Sequence, residues 1–307
     1  MPNTAVKRAL HVVAAIIHHP DNPNLILLAQ RKPGQHLENL WEFPGGKLEA
    51  GEARFHGLRR ELEEEVGICM RAAHPLITVK HRYPEKTVLL DTWRITAYSG
   101  IPHSNEQQKI EWVDISTLDQ YAMPEADVPI VQALSLPREI LITPDVDLEH
   151  VDSFVEQFSR VMQQHPYRMV SFRAQGLADA DYLAVASQLQ EIAQSHHADL
   201  IIQRPTLKSL RSKQFDAFPQ RHLTSRMLHA VRAPLDREQY QWSANCHDRA
   251  DLQKASQLGC RFAYLSCVRQ SERYPGRPAR GWQGFATQAR GVPLPIYASG
   301  GVRRSDL

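Results

Sequence analysis

Residues 46 to 68 read GKLEAGEARFHGLRRELEEEVGI, and their spacing predicts a loop followed by a helix. From Arg54 to Val66 there is no proline and a single glycine, and Leu58, Leu62 and Val66 recur every four residues, so one apolar stripe faces a core. Gly67 is placed to end the helix. Glu61, Glu64 and Glu65 are spaced i, i+3, i+4, which gathers their carboxylates on one face. Three like charges held together cost free energy unless a cation sits among them. A hard divalent ion with oxygen ligands, Mg²⁺ or Mn²⁺, meets that need, the more so when phosphate oxygens complete its shell. Glu52 precedes the helix, in a loop that Gly45, Gly46 and Gly51 allow to bend tightly.

A bare run of glutamates is ordinarily a solvated helix face. Here Gly46, Glu52, Arg60, Glu61, Glu64, Glu65 and Gly67 coincide in one register, an accident of about one in 10⁸ per starting point at average residue usage. In that register the stretch resembles the signature of the Nudix hydrolases at every fixed position. The resemblance implies an α+β sandwich and hydrolysis of a diphosphate bond. It also implies that Glu61, Glu64 and Glu65 hold Mg²⁺, that one of them or Glu52 relays the proton, and that Arg60 orients a glutamate.

Composition fits a soluble globular enzyme: 307 residues, 42% hydrophobic and 23% charged, are enough for two ordinary cores. A formal net charge of +2 implies no polyanion-binding surface, so no stable nucleic-acid partner is expected. The histidines are scattered without a close-spaced ligand set, and His18-His19 and His196-His197 read as surface pairs. Cys69, Cys246, Cys260 and Cys267 form no CxxC, which suits a reducing compartment. Around His11 the apolar residues Leu10 and Val12 to Ile17 make a strand rather than a signal peptide or membrane span. The cytoplasm is the expected location, with no membrane association.

Two domains are expected, residues 1–136 and 137–307. In the first, HVVAAIIHH, NLILLAQR, LITVKHRY and TVLLDTWRITAY read as strands, with a hairpin at Pro84-Glu85-Lys86 and a last helix from Asp127 to Leu136. Beyond Pro137 short apolar strands alternate with helices. REILITPD, YRMVSFRAQ, DLIIQRP, the region around Phe215 to Leu223, YQWSANCH, CRFAYLSCV and LPIYASGGV are the strands; 149–164, 179–196 and 248–258 are the helices. Repeated βα units predict a parallel sheet and, in this number, a barrel. The fold class expected is an α+β sandwich followed by an incomplete (β/α) TIM-barrel-like domain without its last βα unit, open at strands one and seven.

The second part resembles the thiamine phosphate synthase (TenI-like) barrels through HLTSRML at 222–228, SANCHDRADLQKASQLGCRFAYLSCV at 243–268, YPG at 274–276 and ASGGV at 298–302. Gly300-Gly301 either presents backbone N–H groups to a phosphate, as barrel enzymes do at that strand end, or makes a tight βα turn. The resemblance implies a thiamine-related phosphate as ligand. Where the family carries its metal carboxylates, this chain has Gln203-Arg204-Pro205 and Ser225-Arg226-Met227-Leu228. Synthase activity is therefore not expected, and Arg204 and Arg226 are candidates to stand in for the missing cation.

Within the Nudix hydrolases, WEFPGGKLEAGE from Trp41 to Glu52 resembles the MutT-like branch, which hydrolyses oxidised guanine nucleoside triphosphates. Arg31, Phe43 and Lys47 match that branch, as does Glu106, six residues before Trp112, as an additional metal position beside Gly45. Pro124 to Pro129 resembles the segment with a base-recognising Asn, but Asp127 stands there, and an ionised Asp only accepts hydrogen bonds. The branch implies 8-oxo-dGTP diphosphatase activity, giving a monophosphate and pyrophosphate, with roles in DNA repair and mutation avoidance. Two alternatives stay open: hydrolysis of a nucleotide sugar or dinucleotide, and a hydrolase regulated by a ligand-sensing barrel.

Overall fold

The computed structural model of the protein describes residues 9–233, 235–271, 276 and 278–306. Tyr274 and Pro275 of the YPG motif lie outside the described residues. The chain divides into two compact units, one running through Leu136 and joined by Arg290–Pro295, the other formed by Pro137–Ala289 with the residues from Ile296 on.

Strand β1 (Leu10–Ile16) organises the first unit because it is buried on both faces. Its side chains alternate: Val13 and Ala15 enter one core with Leu58, Leu62 and Val66, while Ala14 and Ile16 enter another with Phe43, Ile130 and Leu134. A sheet with an apolar layer on each side follows, which is a sandwich. β1 pairs parallel with β6 (Thr87–Ser99) and antiparallel with β4 (Gly45–Lys47), and β5 (Cys69–Arg82) adds antiparallel to β6. A second, antiparallel sheet has the order β3 (Trp41–Glu42), β2 (Leu25–Gln30), β7 (Ile110–Asp114).

Helix α1 (Arg54–Val66) buries Leu58, Leu62 and Val66 as its periodicity predicts, each worth about 1.5–3 kcal/mol as an upper figure. It ends at Gly67, whose φ of 68° is left-handed and whose N–H returns to the Leu62 carbonyl. Helix α2 (Val128–Ser135) closes the other layer, with Asp127 at its N-cap and Pro129 in its first turn. Strands β3, β4 and β7 were not expected; two to five residues are too few for a periodic signal.

The second unit is a parallel sheet in strictly sequential order: β8 (Leu141–Ile142), β9 (Met169–Arg173), β10 (Asp199–Gln203), β11 (Gln220–Leu223), β12 (Gln241–Cys246), β13 (Phe262–Leu265) and β14 (Ile296–Ala298). Between them run α3 (Val151–Gln164), α4 (Asp179–Ser195), α5 (Leu207–Leu210), α6 (Ser225–Ala230), α7 (Arg249–Gln257) and α8 (Gly281–Ala289). The sheet is curled and open, as an incomplete barrel must be, with β8 and β14 as its edges. The Tyr297 hydroxyl on β14 donates to the Pro137 carbonyl at 2.5 Å, tying one edge to the chain that leads into the other.

The region expected to be strand from Phe215 is strand only from Gln220. Ahead of it lie α5, a single 3-10 turn and a short loop, and their carbonyls at Leu210, Phe215 and Phe218 all accept from the fully buried Arg221 guanidinium. Of the three, the Phe215 carbonyl also accepts from the Phe218 N–H, and Arg221 fixes a loop where the apolar residues alone suggested a strand. All four cysteines are free thiols. Among the described residues no helix is long and apolar enough to cross a membrane.

The β1–β4 pairing gives a direct test. A β-carbon on Gly45, whose φ is 148°, would lie 2.1 Å from the Val13 carbonyl oxygen and 2.8 Å from the Ala14 Cα, both backbone. Gly45→Ala is expected to destabilise the first unit by ~1–3 kcal/mol and to lower the melting temperature by several degrees. An unchanged melting temperature would show that the pairing opens without cost.

Candidate active site

A cleft of about 450 Å³ opens in the first unit, walled by β1, β4 and α1 on one side and by the segments around Arg31, Tyr83 and Asp127 on another. Its acidic wall starts from Arg60. That guanidinium donates to both oxygens of Glu52 at 3.0 Å each, to Glu61 at 3.0 Å, to Glu64 at 3.0 Å and to the Lys47 carbonyl at 3.2 Å. One cation thus binds three carboxylates and ties the loop before α1 to the helix. The Arg60 hydrogen bond, then the Glu49 backbone, holds Glu52 below the usual carboxylate range. Arg60 itself is raised, first through Glu52.

Glu61 and Glu65 line the cleft, whereas Glu52 and Glu64 stand in the Arg60 network outside it. Gly46 makes room for Glu61: a β-carbon there would lie 2.1 Å from the Glu61 Oε2. Burial, opposed by Arg60 and helped by Glu64 and Glu52, pushes the Glu61 carboxyl up. Glu65 is the more perturbed. Burial first, then the charges of Glu42, Glu106 and Glu61, push it up to about 8 against the Gly45 N–H, which donates to its Oε2 at 2.7 Å.

Lys47 is exposed at the end of β4 and lines the cleft, as does Glu106, which pairs with Lys32 at 3.0 Å. Among the described residues no three His, Cys, Asp or Glu side chains converge as a ready metal-ligand set. The donors nevertheless fit a hard divalent cation: they are oxygens, and Glu61 and Glu65 are driven toward the protonated form by burial and mutual charge, an imbalance that such an ion reverses.

Phe43, Arg31 and Asp127 also line the cleft. Arg31 is not a free cation, because it is ion-paired with Glu42 and donates to the His36 carbonyl at 2.8 Å. Asp127 is buried. Burial, then the charge of Glu42, with Arg31 opposing, pushes its carboxyl up to about 8. In its protonated form such a carboxyl both donates and accepts, as an Asn side chain does. Sequence reasoning missed Glu42 and Gln108, which line the same cleft; their partners are 11 and 43 positions away, so no local pattern marks them.

In the second unit a cleft of about 470 Å³ opens at the carboxyl ends of the strands, walled by Arg173, His222, Arg226, Asn245, Ser266 and Gly300 among others, with no Asp or Glu among its described lining. His222 is buried and pushed down to about 3, and is therefore neutral. Arg204, a candidate for the missing cation, does not line this cleft: it is buried and holds Asp179 at 2.6 Å, while Arg226 does line it. Gly300 lines the cleft and Gly301 does not; a β-carbon on Gly301 would lie 2.2 Å from the Gln270 carbonyl oxygen, so the pair is packed tightly against the chain beside it.

An α+β sandwich with an acid-lined cleft, followed by an open parallel barrel with a second polar cleft, defines a two-domain protein with an enzyme-like first half. Residues 12–133 match the NUDIX domain family and residues 140–307 the thiamine monophosphate synthase family, and the chain belongs to both, as a Nudix (MutT-like) hydrolase domain fused to a TenI-like domain. It is 31% identical to the 8-oxo-dGTP diphosphatase of Escherichia coli over 41% of this chain and 97% of that protein. It is 32% identical to the Escherichia coli CTP pyrophosphohydrolase, over 43% of this chain and 95% of that one. The 8-oxo-dGTP diphosphatase of Proteus vulgaris is 39% identical over 31% of this chain and 82% of its own length.

The raised pKa of Asp127 has a measurable sign. Unfolded, the group ionises near pH 4; folded, it keeps its proton up to about 8, so the native state binds more protons between these values and stability falls as pH rises through that window. Asp127→Asn removes this slope, and its melting temperature is expected to exceed that of the wild type at pH 8 and to approach it at pH 4. Identical pH dependence in the two proteins would show that Asp127 ionises normally.

Proposed function

We propose that the first domain is a Mg²⁺-dependent nucleoside triphosphate pyrophosphohydrolase that prefers oxidised guanine and releases the monophosphate and pyrophosphate. The observation that carries this reading is one cleft that joins Glu61, Glu65 and Lys47 to Phe43, Tyr83 and Asp127, chemistry for a phosphate chain and for a base. Relatives named as 8-oxo-dGTP diphosphatases support it. Glu61, Glu64 and Glu65, with Gly45 and Glu106, would hold Mg²⁺, which when bound supplies a Lewis acid and a water of lowered pKa.

The chain's own groups do the rest. Lys47 sets a positive charge against the phosphate oxygens where negative charge builds. One of Glu61, Glu64 and Glu65, or Glu52, which Arg60 keeps ionised, takes up the proton of the attacking water. Arg60 keeps Glu52, Glu61 and Glu64 in register with the loop. At the base, oxidised guanine presents an N7–H donor beside a C8 carbonyl, and protonated Asp127 presents a carbonyl acceptor beside an O–H donor, which pairs with both. Phe43 packs as an apolar wall.

An assay of pyrophosphate release from 8-oxo-dGTP, dGTP and CTP, run beside one of AMP release from ADP-ribose, is expected to give the highest kcat/KM on 8-oxo-dGTP; a clear preference for CTP or ADP-ribose would reassign the substrate. Glu64→Gln should lower turnover by about two orders of magnitude or more, and near-normal turnover at saturating Mg²⁺ would remove Glu64 from the machinery. Asp127→Ala should cost ~1–3 kcal/mol of selectivity for 8-oxo-dGTP over dGTP, and Asp127→Asn should keep most of it. Equal loss on both nucleotides would make Asp127 structural.

For the second domain we propose binding of a thiamine-related phosphate without synthase chemistry, because its cleft offers Arg173 and Arg226 but no carboxylate among its described lining. The full chain, given both thiamine precursors and Mg²⁺, should form no thiamine phosphate above background. Clear product would overturn this.

A further inference from the structure

The Glu65 carboxyl is gripped at both oxygens. The Gly45 N–H donates to Oε2 at 2.7 Å, and the Gln108 amide donates through Nε2 to Oε1 at 2.6 Å. Gln108 is buried and lines the cleft, and its own Oε1 is buried without a protein partner. A buried amide oxygen with no acceptor role filled is uncommon in a native fold and points to a ligand or ion it serves. Against an ionised Glu65, the form that binds a cation, only the NH₂ end of the amide can face the carboxylate oxygen.

The loop that carries Gln108 is built to hold it there. Gln107 has φ 65°, a left-handed conformation that residues with a β-carbon rarely adopt, and it turns the chain between Glu106 and Gln108, both of which line the cleft. On its upstream side the loop is fastened to the last turn of α1: the Asn105 side chain donates to the Glu63 carbonyl at 3.0 Å, the Asn105 N–H to the Glu65 carbonyl at 3.1 Å, and the His103 N–H to the Val66 carbonyl at 3.1 Å. Downstream, the Lys109 carbonyl accepts from the Gln30 N–H at 2.7 Å. Gln108 is therefore fixed to the same helix whose carboxylate it holds.

We infer that Gln108 is a positioning residue for the divalent-cation site: its amide N–H fixes the Glu65 carboxylate for metal binding, and its carbonyl Oε1 accepts a hydrogen bond from the hydration shell of the ion. This inference rests on the proposed metal dependence of the first domain. Outer-shell partners of metal ligands are worth about ten- to a hundredfold in metal affinity.

The test is Mn²⁺ titration of the full chain followed by electron paramagnetic resonance, with wild type, Gln108→Met and Gln108→Glu. Gln108→Met keeps the side-chain length and removes both polar atoms. Its metal-free melting temperature is expected to stay within a few degrees of the wild type, because loss of the unpartnered oxygen offsets loss of the hydrogen bond to Glu65, while its Mn²⁺ Kd rises about ten- to a hundredfold. Gln108→Glu keeps an oxygen toward the ion but replaces the amide donor with a second carboxylate, and it is expected to bind Mn²⁺ more tightly than Gln108→Met. A Mn²⁺ Kd in Gln108→Met equal to that of a wild type that binds well would overturn the role of Gln108 alone. Failure of the wild type to bind Mn²⁺ saturably would overturn both this inference and the metal dependence beneath it.

Discussion

The first domain depends on one guanidinium. Arg60 satisfies Glu52, Glu61 and Glu64 together and reaches the Lys47 carbonyl as well, so the loop is tied by charge to the helix that follows it. Without it, three carboxylates on adjacent turns would repel, and the loop through Glu52 would lose its anchor. Arg60 is only partly buried, so the network is not a sealed ion pair, and its value lies in geometry more than in net stability.

The cleft that results is electrostatically two-sided but not divided. Glu42 is felt both by Glu65 and by Asp127, and it neutralises Arg31 between them. One carboxylate thus couples the acidic wall to Asp127 electrostatically. The second domain follows another logic. Parallel strands in sequential order place every strand's carboxyl end on one side, so a polar cleft arises there from topology alone, and the identity of its side chains decides what it can hold.

Much of this was legible in sequence where the signal was local. The four-residue recurrence of Leu58, Leu62 and Val66 gave α1 with its ends, and alternating βα segments gave the open parallel sheet, because each is a periodic pattern within one element. What escaped was long-range. Strands β3 and β4 exist through their partners β2 and β1, not through their own two or three residues. Arg221 turns an apolar stretch into a loop by capping carbonyls that sequence cannot place. The burial of Asp127 beside Glu42, which pushes its carboxyl up, has no local sequence signal, and Gln108 carried no motif of its own.

Gly45 and Gly46 are adjacent, yet they are constrained by different parts of the molecule. A side chain on Gly45 runs into strand backbone, whereas a side chain on Gly46 runs only into the movable carboxylate of Glu61. Mutational drift at the first position would be removed by folding quality control. At the second it would yield a well-folded, abundant protein with a misplaced acid, a lesion that abundance and solubility assays pass over and that only a chemical assay detects.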